Sequence, residues 1–82
     1  MSDWLDKARS DLASAVGDLP AAYELPAEDV TALLELAGVA AHESGDRRNA
    51  PLTTYLIGLA RGRHPEQSVA DLAAAAVGSR DG

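Results

Sequence analysis

Residues 50–65 read APLTTYLIGLARGRHP, and the fold turns on that stretch. Leu52, Tyr55, Leu56 and Leu59 recur at helical spacing, and Ile57 and Ala60 widen the stripe around the cylinder. Pro51 suits the first turn of a helix, and Pro65 forbids a smooth continuation. A helix over 50–63 follows. Gly58 and Gly62 are four apart on one face, with Thr54 a turn earlier on the same side. Each interior glycine costs roughly 1 kcal/mol relative to alanine, so something has to offset it. Helix packing is the expected compensation, with Gly58 and Gly62 letting an alanine-rich neighbour come close. This helix is then the central one, buried on more than one side. The same glycine spacing marks membrane dimers in apolar segments of about twenty residues, but this segment is short and flanked by arginines.

Working outward, the chain offers three more helices. Trp4, Leu5, Ala8, Leu12, Ala15 and Val16 form a stripe over 3–16, with Asp3 as N-cap and Gly17 as stop. GDLPAAYELP is a connector whose Leu19, Tyr23 and Leu25 are apolar enough to pack back on the body. A second helix covers 26–44, opening at Pro26 with Glu28 and Asp29 in the turn where the helix dipole favours acids. Val30, Leu33, Leu34, Ala37 and Ala41 form its stripe, widened by Leu36, Val39 and Ala40. A fourth helix over 65–78 carries Val69, Leu72, Ala73, Ala76 and Val77 on one side. The expected fold is all-α, a compact bundle of four short helices in a single domain, 1–82, with 79–82 a frayed tail.

Composition agrees. Eighty-two residues make one small domain that buries about 60–65% of the surface exposed by its unfolded chain. An apolar share of 46% supports a core. Seventeen alanines, eleven leucines and no phenylalanine favour closely spaced helices over packed sheets. The absence of cysteine excludes a disulfide framework, a thiolate metal site and a cysteine nucleophile. No apolar run reaches the eighteen or so residues of a membrane span, and MSDWLDKARSDL is too charged for a secretory signal. The chain reads as cytoplasmic and soluble.

The net charge of −6 disfavours nucleic acid as a partner, and its distribution is uneven. Residues 1–46 carry ten acids against Lys7 and Arg9, a net of −8, whereas 47–64 carry four arginines and no acid. Arg61, Arg63 and His64 sit where a helix C-terminus favours cations. Arg47 and Arg48 precede a helix N-terminus, which prefers anions, so they call for acidic neighbours: Asp46 is adjacent and Glu43 lies four residues before Arg47. The sharper reading is a ligand or partner site, in which His42, Arg47, Arg48, Thr53 and Thr54 converge with free backbone N–H groups on a phosphate or carboxylate. No glycine-rich phosphate loop accompanies it.

Catalytic chemistry is missing. Two histidines twenty-two residues apart make no metal site, and His42-Glu43 lacks the second histidine of the zinc-protease helix. No serine sits in a nucleophile elbow, and no pair of acids stands out for proton transfer. QSVADL lacks the Asp-Ser-Leu context of an acyl carrier protein. A buried apolar helix between the arginines is a poor recognition helix for DNA. No catalytic residue, metal or cofactor is expected.

DWL near the start, VAAHE closing the second helix and RRNAPLTTYLIGLARGR together resemble a family of small actinobacterial helical domains of unknown function. These occur alone or fused C-terminal to molybdenum cofactor guanylyltransferases. The residues that carry the resemblance are Ala41, His42, Arg47, Ala50, Pro51, Leu52, Thr53, Thr54, Tyr55, Gly58, Leu59, Ala60, Gly62 and Arg63. The interval from His42 to Pro51 is one residue longer than in that pattern, and the arginine doublet followed by Asn49 departs from it. Nothing here resembles the glycine-rich nucleotide-binding segment of the guanylyltransferase. The resemblance implies an accessory module linked to molybdenum cofactor biosynthesis, with no activity attached. The expected function is a non-enzymatic interaction domain that binds another protein or itself. A binding module for a small anionic, phosphate-bearing ligand at the start of the third helix is the alternative.

Overall fold

Two glycines set the corners of the chain. The structure, a computed structural model, describes residues 3–77. Among these, Gly17 (φ 80°) and Gly45 (φ 72°) adopt the left-handed conformation that glycine takes without a Cβ penalty. Helix α1 (Asp3–Val16) stops at Gly17 through two bonds. The Asp18 N–H donates to the Ala13 carbonyl at 2.8 Å, and the Gly17 N–H to that of Ser14 at 3.3 Å. A single 3₁₀ turn, Pro20–Tyr23, follows, and the Tyr23 hydroxyl donates to Asp18 Oδ2 at 2.6 Å. That bond raises the Tyr23 pKa, because losing the phenol proton would put two anions together. Helix α2 (Ala27–Ser44) starts behind Pro26, whose carbonyl accepts from Asp29 and Val30, and ends where the Gly45 N–H meets the Ala41 carbonyl. Helices α3 (Asn49–Arg63) and α4 (Val69–Val77) complete the chain.

The all-α bundle of four helices is as expected, and no strand occurs among the described residues. The first three helices start within a residue of the predicted positions. The fourth begins at Val69 rather than at 65. Ser68 is the reason, since its hydroxyl accepts the Asp71 N–H at 3.0 Å and so caps the helix there. The preceding residues form a turn, closed by Gln67 N–H to the His64 carbonyl and Arg61 Nη1 to the Pro65 carbonyl. The predicted end at 78 and the tail 79–82 lie outside the described residues.

One small cluster joins three of the helices. Leu36 from α2, Ile57 from α3 and Ala73 from α4 are buried together, with Leu33, Val69, Leu72, Ala76 and Val77 packed against them. The stripe predicted for α4 therefore faces the core. All three helices of the body touch one another, with α2 making the two most extensive contacts and burying Leu36 and Ala40; α3, predicted to be central, buries only Ile57. The error has a simple cause. Apolar residues occupy nearly the whole circumference of α3, and periodicity alone does not say which side the rest of the chain covers.

Helix α1 stands apart. Among the described residues it brings no Cα within 8 Å of α2, α3 or α4, and its neighbour is the 3₁₀ turn, against which Ala13 is wholly buried. Arg9 adds a tie to the segment behind that turn, with Nη1 3.7 Å from Glu24 Oε2. Of the connector residues expected to pack back, Tyr23 and Leu25 are half-buried, whereas Leu19 is exposed. Between this arm and the three-helix body runs an open groove of about 720 Å³.

Gly58 and Gly62 lie on the wall of that groove, on α3. No atom comes within 4 Å of where a Cβ would stand at either position. The close helix approach expected of them is not made among the described residues, because their face turns toward the open groove. Two substitutions of the same kind are expected to act in opposite directions. Gly58→Ala adds a Cβ into open space and improves helix propensity, so it should stabilise by up to about 1 kcal/mol. Gly45→Ala forces a side chain into the left-handed region and should cost about 1–2 kcal/mol. Thermal unfolding of both variants against the parent checks the pair of signs.

Candidate functional site

The basic corner is built by Asp46. Its carboxylate accepts the Arg48 backbone N–H at 2.9 Å and Arg48 Nε at 3.1 Å on Oδ1, and Arg48 Nη2 at 2.8 Å on Oδ2. These bonds hold the Asp46 carboxyl below its usual range and raise the Arg48 guanidinium. The turn is also fixed from the α2 side, where the Ser44 hydroxyl donates to the Ala40 carbonyl at 2.6 Å. Glu43 and Arg47 form no ion pair among the described residues, because α2 ends at Ser44 and the two no longer share a helix. The acidic neighbour of the doublet is Asp46, and it engages Arg48.

The five residues predicted to converge do not form one constellation. His42 and Arg47 are exposed. Thr53 lines a small depression between α2, α3 and α4, together with Val39, Asn49 and Val77. Thr54 lines the large groove on another side of α3, and its hydroxyl donates back to the Pro51 carbonyl at 2.8 Å. An anion at the start of α3 would therefore meet one guanidinium already held by a carboxylate and a threonine hydroxyl already bonded. Among the described residues no three of His, Cys, Asp or Glu lie close enough to hold a metal ion.

The structure presents a different feature instead. Leu52, Tyr55, Leu56 and Leu59 are 61%, 66%, 60% and 47% exposed, on the side of α3 away from Ile57. They follow the spacing of a core-facing stripe, and they lie exposed among the described residues. A second uncovered face lies on α1, where Trp4 is 79% exposed and Leu12 and Val16 are more than half exposed. Scattered exposed apolar residues are ordinary, whereas contiguous rows of large ones mark interaction surfaces. The helical spacing of both rows was legible in the sequence, but the burial expected of the α3 row is not found among the described residues.

The exposed surface is correspondingly large. The chain exposes 6052 Å², against about 4,700 Å² for a compact monomer of its mass. Its radius of gyration is 13.6 Å, against about 11.7 Å for a typical domain of this length.

The chain belongs to a family described as a domain of unknown function, DUF6457, which it matches over residues 1–80. No curated protein and no solved structure matches it. No helix among the described residues is long and apolar enough to cross a membrane.

The Asp46–Arg48 pair makes a pH-dependent contribution whose sign is fixed. A carboxyl depressed in the folded state stabilises above its unfolded value of 3.8, and that contribution fades as pH falls through the lower folded value. Arg48→Ala should therefore lower the unfolding midpoint at neutral pH. The gap to the parent should close as the solution is acidified through and below 3.8. Midpoints of the two proteins measured across that range check both statements.

Proposed function

We propose that this member of the family is a non-enzymatic interaction domain, and that the uncovered apolar faces of α3 and α1 are its binding surface. The observation that carries the reading is the row Leu52, Tyr55, Leu56 and Leu59, exposed on a helix otherwise anchored by Ile57. A stripe of this kind costs solubility when bare and contributes affinity when covered, through release of water from about 25 cal/mol per Å² of apolar surface. Arg63 at the end of the same helix and Arg47 just before it frame the stripe with positive charge. Large apolar residues at the centre with charges at the rim is the ordinary anatomy of a protein–protein interface.

The resemblance to actinobacterial domains fused behind molybdenum cofactor guanylyltransferases supports a role as an accessory to cofactor biosynthesis in the cytoplasm. In that role the domain supplies a docking face, and the enzyme supplies the chemistry. The anion-binding alternative draws no support from the geometry at the start of α3, where Asp46 already engages Arg48 and Thr53 and Thr54 face different sides.

Leu56→Glu separates the readings. At an exposed helical position it should leave the circular dichroism intact. It should also abolish association, whether between copies, followed by light scattering, or with a molybdenum cofactor guanylyltransferase, followed by calorimetry. Excess phosphate should leave the unfolding midpoint of the parent unchanged. A parent that associates with nothing and is no less soluble than Leu56→Glu would contradict the proposal. A phosphate-induced rise in midpoint, lost in Arg47→Ala/Arg48→Ala, would replace it with the anion site.

A further inference from the structure

The chain carries two uncovered apolar faces, and they cannot cover one another. The α3 stripe points away from Ile57, while α1 lies across the groove on the Gly58–Gly62 side of α3 and brings no Cα within 8 Å of a Cα of α2, α3 or α4. The faces nevertheless match. Helix α1 has 14 residues and α3 has 15, so both are a little over 20 Å long at 1.5 Å per residue. The arm from 3 to 25 contains Asp3, Asp6, Asp11, Asp18 and Glu24 against Lys7 and Arg9, a net of −3. The segment from 47 to 64 contains four arginines and no acid, a net of +4.

Building on the interaction surface proposed above, we infer that its occupant is a second copy of this chain, with the α1 face of each copy packed on the α3 stripe of the other. The exchange is reciprocal, so one two-fold axis covers all four faces and leaves no open end. Charge distinguishes it from the simpler pairing of α3 on α3. In an antiparallel α3 pair, Arg47 of one copy would approach Arg61 and Arg63 of the other, and the adjacent acid, Asp46, is already engaged by Arg48. Laying α1 on α3 instead brings the acidic arm to the basic helix.

Two single substitutions and their mixture test the exchange. Leu12→Glu disables the α1 face, and Leu56→Glu disables the α3 stripe. Both positions are more than half exposed, so helix content should be preserved. Sedimentation equilibrium of the full chain should show a dimer for the parent. Each variant alone should dissociate at least about thirtyfold more readily, the size of one interface hot spot. An equimolar mixture should regain part of the dimer, because one of the two seams then joins an intact α1 to an intact α3 while both substitutions fall in the other. A monomeric parent at hundreds of micromolar would overturn the inference, as would a Leu12→Glu variant that still dimerises or a mixture that gains nothing. A monomeric parent that still binds a guanylyltransferase, with that binding lost in Leu56→Glu, would overturn only the choice of occupant and leave the interaction surface standing.

Discussion

The contact of Leu36 with Ile57 and Ala73 is the joint on which the rest of the molecule depends. It is the one place among the described residues where buried side chains from three helices meet. A chain of 82 residues has a stability of roughly 4–12 kcal/mol. Truncating one buried leucine costs about 2–5 kcal/mol. Few contacts are therefore available to waste, and yet ten large apolar side chains stay exposed. A core this small beside a surface this apolar is the imbalance from which the proposed association is argued. The body α2–α4 holds itself together, and what remains of the apolar content is left facing outward.

Most of the fold was legible in the sequence because its boundaries rest on local chemistry. Gly17 and Gly45 end helices where a left-handed residue is required, and Pro26 and Pro51 sit where a missing N–H does no harm. The start of α4 was legible too, in Ser68 with Asp71 three residues on, and Pro65 drew the reading away from it. Leu36 and Ala40 were placed on the wider α2 face, and both are buried.

The site was less legible, since a single helix period cannot distinguish a stripe covered by the same chain from one covered by another. Leu52, Tyr55, Leu56 and Leu59 read as core and lie bare; Ile57, taken as the margin of that stripe, is the core residue. Gly58 and Gly62 gave the smooth face expected, but it lines a groove where the sequence called for a helix. At the basic corner the sequence correctly placed Asp46 beside the arginines. It could not show that both carboxylate oxygens are spent on Arg48, or that neighbouring threonines line different depressions.

Trp4 offers the most direct measurement of the central claim, that α1 is bare in one chain and covered in the assembly. It is the sole tryptophan and is 79% exposed, so its emission reports on this face without competition. The account predicts solvent-like emission in dilute solution and a shift to shorter wavelength as the protein is concentrated. Emission at short wavelength from protein that sedimentation shows to be monomeric would contradict it, because α1 would then be covered by its own chain. Solvent-like emission at every concentration would contradict it from the other side, by showing that nothing covers α1 at all.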